Sequence, residues 1–195
     1  MGAEPPPTDD DLVARCREAR RTGSQAFAEL YRRHAGAVLG FLHGLHAGDA
    51  EAARDALQET FVRFHGALDA LERGRPLRPW LYRIARNVSL DQWKRKGRRP
   101  EERLEPEALA AAAQAGGEAD PARIAAAREE HGLLRRALDA LGEGERAVFL
   151  LRHDQGHTYE EIADSLGCSV RTAKYRMKAA VERLGREAER QGVVR

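Results

Sequence analysis

Apolar residues recur at helical spacing along most of the chain, and polar residues fill the positions between them. Phe27, Leu30, Tyr31, His34, Val38, Phe41, Leu42 and Leu45 fall at intervals of three and four, one stripe of one helix. His34 lies within the stripe, so it is expected to be a packed, hydrogen-bonded histidine rather than a metal ligand. Gly48 and Asp49 end that helix. A second helix is expected over 50–71, with Leu57, Phe61, Phe64, Leu68 and Leu71 as its buried seam. A different face carries Asp55, Gln58 and Glu59, which reads either as a solvated face or as an acidic docking patch. Residues 73–79 contain a glycine and two prolines and must form a loop. A third helix follows over 80–96. Leu81, Ile84, Ala85 and Val88 share one side of it, Arg83, Arg86, Asn87 and Lys94 the other, and Trp80, Tyr82 and Trp93 lie on its flanks.

The pattern fails over 100–130, which is rich in Ala, Glu and Pro and poor in large apolar residues. This stretch reads as a linker. It resumes with Leu133, Leu134, Ala137, Leu138 and Leu141, a short amphipathic helix. A turn bracketed by Gly142 and Gly144 and a helix over 145–152 follow. Thr158 with Glu161 forms a capping box ahead of a helix that buries Tyr159, Ile162, Ala163 and Leu166. Gly167 supplies a sharp turn, and Ser169 caps the last helix. On that helix Val170, Ala173, Met177, Val181 and Leu184 share the face expected to pack. Arg171, Lys174, Tyr175 and Lys178 share the opposite face.

These elements make an all-α protein of two small helical domains joined by a flexible linker. The expected divisions are a disordered tail over 1–9, a first domain over 10–99, the linker over 100–130 and a second domain over 131–190. Charged residues at 33% with few β-branched ones favour helix over sheet. The net charge of +2 hides strong segregation. Residues 73–99 carry ten Arg or Lys against one Asp, whereas residues 100–130 carry three basic against eight acidic residues. Cys16 and Cys168 have no metal-ligand spacing and make no disulfide framework. The acidic, Pro-rich start lacks the marks of a signal peptide, and no run approaches the ~20 apolar residues of a transmembrane helix. A cytoplasmic protein without membrane insertion is expected. No glycine-rich nucleotide loop, metal cluster or nucleophile constellation stands out, so no catalytic residue, metal or cofactor is expected and the protein reads as not an enzyme.

The segment over 158–178 reads as a helix–turn–helix whose second helix exposes a basic face suited to a major groove. The segment over 73–99 offers cations, aromatic residues and a constrained loop. Aromatic faces stack on unpaired bases, so this element suits single-stranded DNA. A chain that reads duplex with one end and melted strand with the other fits a promoter-recognition factor. Two other readings exist. A stand-alone helix–turn–helix regulator, binding an operator as a dimer, accounts for 133–195 but not for the basic helix after the loop. An enzyme with a DNA-binding tail needs an active site that the first domain does not offer.

FAELYRRHAGAVLGFL, DALQETFVRFHGAL and RPWLYRIARNVSLDQWKRKGRR resemble the second region of bacterial RNA polymerase sigma factors of the sigma-70 family, in particular the extracytoplasmic-function (ECF, group 4) class. ERAVFLLRHDQGHTYEEIADSLGCSVRTAKYRMKAAVERL resembles their fourth region. The resemblance implies that the chain binds core RNA polymerase through its β and β′ subunits. It implies recognition of the −35 element as duplex and the −10 element as single strand, with opening of the DNA for transcription initiation. It also implies an anti-sigma factor as partner, and a monomer when free. Asp55, Gln58, Glu59 and Phe61 match the polymerase-docking helix. Arg73, Arg75 and Arg78 match the loop that captures a −10 base, and Trp80, Tyr82, Arg83, Arg86, Asn87 and Lys94 match the helix beside it. Ser169, Arg171, Thr172, Lys174, Tyr175, Arg176 and Lys178 match the −35 reading helix. Two departures stand out. Leu141-Gly142-Glu143-Gly144 carries extra glycine, expected to loosen that turn. Arg171 and Tyr175 stand where the family commonly has small residues, which points to a private set of promoters.

Overall fold

A computed structural model describes residues 6–18, 25–72, 74–97 and 136–192. The stretch 98–135, with the expected linker and Leu133 and Leu134, lies outside the described residues, as does Arg73.

Thr8 opens the first helix, α1 (Asp9–Glu18). Its Oγ1 accepts the Asp11 N–H at 3.2 Å, and the Asp11 carboxylate accepts the Thr8 N–H at 2.9 Å, a reciprocal cap. The helix therefore begins inside the span expected to be a tail. Leu12, Val13 and Cys16 face inward. Arg17 donates to the carbonyl of Leu68, and Asp9 meets His34 Nε2 at 2.8 Å. His34 is thus the packed, hydrogen-bonded histidine that its position predicts.

Three longer helices build the first unit: α2 (Gln25–Leu45), α3 (Ala50–Gly66) and α4 (Leu77–Arg95). Asp49 caps α3 by accepting the Ala52 N–H at 2.9 Å. Helix α3 stops at Gly66, short of the expected 71, and a 3₁₀ turn over Leu68–Ala70 carries Leu68 and Leu71 into the core. Helix α4 begins at Leu77, three residues earlier than expected. Pro79 sits in its first turn, where a missing N–H removes no intrahelical bond. Phe27, Phe61 and Phe64 pack as an aromatic cluster with centroids 5.9–6.3 Å apart. Tyr31 lies at its rim and is 41% exposed.

The second unit contains a helical turn at 136–139, then α5 (Glu143–His153), α6 (Tyr159–Leu166) and α7 (Val170–Arg190). The glycine-rich segment does not form the expected loose turn. Gly142 is the N-cap of α5, its N–H donates to the Glu145 carboxylate at 3.2 Å, and Gly144 lies inside the helix. On α7 the buried positions are Ala173 and Ala180, with Met177 and Leu184 partly buried. Val181, expected in that seam, is 53% exposed: the buried seam steps seven residues from Ala173 to Ala180, and Val181 lies about 100° further round the helix.

The two units pack directly on each other, α4 against α6 and α2 against α5. Backbone approach is close at Gly44, where a Cβ would lie 2.7 Å from the methyl carbons of Leu150. Beside it the buried Arg146 reaches from α5 to the carbonyl of Leu45, at 3.2 Å, and so satisfies the C-terminal end of α2. Among the described residues no strand occurs and no helix is long and apolar enough to cross a membrane.

Candidate nucleic-acid interface

The helix–turn–helix is locally determined. Thr158 Oγ1 accepts the Glu161 N–H at 3.2 Å and the Glu161 carboxylate accepts the Thr158 N–H at 2.8 Å. Hydrogen bonds donated by the Thr158 N–H and, at 3.0 Å, by its hydroxyl hold the Glu161 carboxyl below its ordinary value. Gly167 closes α6 at φ +61°, a left-handed conformation that strains any residue with a Cβ. Ser169 then accepts the Thr172 N–H at 3.0 Å and starts α7. The turn leaves Arg171, Lys174, Tyr175 and Lys178 exposed on one face, with Tyr175 73% exposed. Ser169 is also exposed, and Thr172 is half-buried with its hydroxyl 2.8 Å from that of Ser169.

Lys174 on this face and Arg176 at its border are set by contacts that helical spacing does not reveal. The Arg176 guanidinium lies over Gly144, within 3.1 Å of where a Cβ there would be. The absent side chain in α5 therefore makes room for an arginine of α7. Lys174 Nζ stands 5.6 Å from the centroid of the Tyr159 ring, and Arg152 stands 5.1 Å from the same ring. Tyr159 was expected only as core. It also holds two cations beside the exposed face, and Arg152 is a further basic group there.

Helix α4 presents a different picture. Asn87 and Lys94 are exposed, as is Arg75, whose partner Glu72 lies at 3.2 Å. Trp80 is half-buried with its ring 5.7 Å from Phe64. Tyr82, expected beside a DNA-facing surface, is buried. Its ring meets Phe41 at 5.1 Å and His157 at 4.8 Å, and its hydroxyl donates to Gln155 Oε1 at 2.8 Å. Trp93 is buried against His46. The aromatic residues of α4 thus serve the core and the contact between units, because a helix packed on two sides leaves little room for a free flank.

The arginines of α4 are engaged as well. Arg78 donates to the Gln155 carbonyl at 2.9 Å. Arg83 donates to the Asp164 carbonyl and, at 2.7 Å, to its carboxylate. Arg86 forms a two-pronged pair with Glu143 at 2.6 and 2.8 Å. These pairs differ in weight. The Arg83–Asp164 side chains are 36% and 38% exposed, so water screens them, whereas those of Arg86 and Glu143 are 17% and 11% exposed. Hydrogen bonding to Glu143 raises the Arg86 pKa despite its burial. His157, beneath Tyr82, has neither ring nitrogen hydrogen-bonded to the protein, and burial followed by the nearby Arg78 lowers its pKa.

On α3, Asp55 and Gln58 are exposed and share a face. Glu59 is already held by Arg63 at 2.5 Å and Arg95 at 3.0 Å. Burial opposes its charge, but hydrogen bonds from Arg95 and Arg63 outweigh this and keep its carboxyl below the ordinary value. Phe61 is buried in the aromatic cluster, so it is not a surface contact; its ring supports the helix from beneath.

Residues 30–99 match the family model for sigma-70 region 2, and residues 131–184 match that for sigma-70 region 4. The ECF RNA polymerase sigma factor EcfG of Rhodopseudomonas palustris (strain TIE-1) is 30% identical over 138 residues, 71% of this chain and 72% of that protein. The ECF RNA polymerase sigma-E factor of Escherichia coli (strain K12) is 29% identical over 139 residues, 69% of this chain and 73% of that one. Among solved structures, CnrH in complex with the cytosolic domain of CnrY superposes with a TM-score of 0.68 at 26% identity, covering 93% of this chain and 97% of that one. The sigma factor RpoE of Bartonella quintana, in complex with the anti-sigma factor NepR, gives 0.66 at 24% identity, covering 85% of this chain and 98% of that one, a likeness of fold.

Proposed function

The chain belongs to the ECF class of sigma-70 RNA polymerase sigma factors, and from that premise we propose how its residues divide the work of transcription initiation. The first unit, within 10–99, binds core polymerase and the −10 element. The second, within 131–190, binds the −35 element as duplex. The protein works in the cytoplasm and is not an enzyme, since polymerase carries out the chemistry. An anti-sigma factor is its expected regulator, in keeping with the sigma factor–anti-sigma complex among its structural neighbours.

One observation carries the DNA reading: α7, capped by Ser169 and turned by Gly167, exposes Arg171, Lys174, Tyr175 and Lys178 together. Thr172 and Arg176 border that face. In the first unit Asn87, Lys94, Arg75 and Arg78, with Arg83 and Arg86, supply the −10 surface. Asn87 offers both a donor and an acceptor to a base edge. Asp55 and Gln58 supply the free docking face. Glu59 stabilises the pairing of α3 with α4 through Arg95, so its role in docking is secondary.

The test reconstitutes holoenzyme from core polymerase and the full chain. Asp55→Arg with Gln58→Arg abolishes assembly and leaves the fold intact, because both side chains are exposed. Lys174→Ala weakens binding to −35 duplex by ~1–3 kcal/mol if it contacts a base. Asn87→Ala leaves duplex binding unchanged and reduces promoter opening, followed by permanganate reactivity of melted thymines. A folded double variant that assembles normally, or identical duplex defects from Lys174→Ala and Asn87→Ala, refutes this division.

A further inference from the structure

We propose that Tyr175 makes this sigma factor selective for a thymine of the −35 duplex, reading the base by its C5 methyl group rather than by a hydrogen bond. The inference rests on the −35 reading above and names what one residue of that surface recognises.

The exposed face of α7 is not uniform. Lys174 leans towards the Tyr159 ring, and Lys178 Nζ stands 3.9 Å from the Glu182 carboxylate on the same helix. Tyr175 lies between these two lysines in sequence and one turn from Arg171. It is 73% exposed, and among the described residues it makes no hydrogen bond or ring contact. Packing therefore does not account for the ring. Nor does it belong to an apolar patch of the kind that binds protein. Val181, the other exposed large apolar residue of α7, lies about 120° away round the helix. Tyr175 is instead a single aromatic residue set among Arg171, Lys174 and Lys178. Its place is also favourable for reading, because it falls in the two N-terminal turns of α7, where a recognition helix meets base edges. Flanking cations draw phosphates and bring the middle of the face to the floor of the major groove. There most base-edge groups are donors and acceptors, which the ring cannot match, and the thymine methyl is the apolar one. Packing that methyl on the ring removes apolar surface of both from water. A phenol also loses little freedom when it is ordered, having only two side-chain torsions. Uracil keeps the O4 acceptor of thymine and lacks the methyl, so exchanging the two bases isolates this contact from every hydrogen bond.

The test uses holoenzyme reconstituted from core polymerase and the full chain. Duplexes randomised across the −35 region are selected for binding. Each thymine of the selected −35 sequence, in either strand, is then replaced singly by uracil, and affinity is read by competition against a fluorescein-labelled duplex. At one position the replacement is expected to weaken wild-type binding about fourfold, the worth of one buried methyl group. Tyr175→Phe keeps the ring and is expected to keep that penalty. Tyr175→Ala is expected to bind the thymine and uracil duplexes equally, with helix content unchanged in circular dichroism because the side chain is exposed. Tyr175→Gln, which has reach but no ring, serves the same comparison if the alanine variant binds too weakly to measure. A selected −35 sequence without thymine overturns the proposal. Wild-type indifference to every uracil overturns it too, as does a uracil penalty that survives the loss of the ring. Arg171→Ala and Lys174→Ala keep the two readings apart. If they weaken binding while the uracil effect is missing, α7 still reads the −35 duplex and only the methyl contact falls. If neither they nor Tyr175→Ala alters duplex binding, the −35 reading falls first and the methyl contact with it.

Discussion

His46 is 2% exposed, and its Nε2 lies 3.0 Å from Ser89 Oγ between α2 and α4. Burial is the main reason its pKa falls to about 4, with Asp49 opposing and Lys96 adding to the shift. The unfolded chain, with an ordinary value near 6.5, binds more protons between the two values. Stability therefore rises with pH through that window and is lost as pH falls from about 6.5 to about 4, by roughly 3 kcal/mol in all. Urea unfolding at pH values spanning the window measures this slope. His46→Gln, which keeps a hydrogen-bonding group near Ser89, is expected to flatten it in part; His157, whose pKa is lowered in the same direction, contributes to what remains. Gly144 invites a second test. A methyl group there meets only the end of the Arg176 side chain, so Gly144→Ala is expected to leave thermal stability near wild type. Arg176 must move, however, and binding to −35 duplex is expected to weaken. Unchanged duplex affinity in titrations would show that Arg176 takes no part in reading DNA.

At the scale of elements, the helix–turn–helix depends on its caps as well as on its packed faces. Helix α6 has eight residues, too few to hold itself without a cap and a packed face. Thr158→Ala and Ser169→Ala are each expected to cost about 1 kcal/mol in denaturant unfolding. They separate in function. Thr158 caps the end of α6 away from the turn, whereas Ser169 starts the helix that carries the exposed face. Weaker −35 binding is therefore expected of Ser169→Ala beyond any loss of folded protein, with Thr158→Ala unaffected once fully folded. Equal binding losses in both variants at matched folded fraction would assign the effect to stability alone. Helix α4 teaches the converse lesson. Its charged side reads as a solvent face on a helical wheel, yet Arg83 and Arg86 are only partly exposed, because α6 lies against it and Glu143 at the start of α5 reaches Arg86.

For the molecule as a whole, the packing of the two units on each other is expected to depend on pH through His157. The ring is buried between the units; Tyr82 and Arg78 approach from α4, Glu161 faces it from α6, and its carbonyl accepts from Arg152. Burial, followed by Arg78, lowers its pKa where the units pack, with Glu161 opposing, and an imidazole freed into water would return to its ordinary value. Separated units would therefore bind a proton more readily, so their packing is expected to be most favoured above the ordinary histidine value and to weaken as pH falls through it. The radius of gyration is expected to grow between about pH 7.5 and pH 5.5 in the wild type. His157→Phe, which keeps an apolar ring against Tyr82, is expected to remove that dependence. A wild-type radius constant over the same range would show that His157 takes no part in holding the units together.

Local chemistry determined much of this protein directly from its sequence. Helical spacing marked α2 and α3, and the pair Thr158–Glu161 and the lone Ser169 marked the caps, since their hydrogen bonds span only three residues. Gly167 announced the turn because only glycine enters the left-handed region freely. The exposed face of α7 followed from the same periodicity. Tertiary structure decided what periodicity cannot rank. A wheel does not tell which side of a helix meets a second neighbour, so Tyr82 and Trp93 became core and Val181 became surface. It does not reveal that Gly144 makes room for Arg176, or that Glu59 is claimed by Arg95 36 residues away. Nor does it reveal that Arg83 and Asp164, 81 residues apart, complete each other. Such pairings depend on where two folded units meet, and that is fixed by shape and charge complementarity between surfaces distant in the chain.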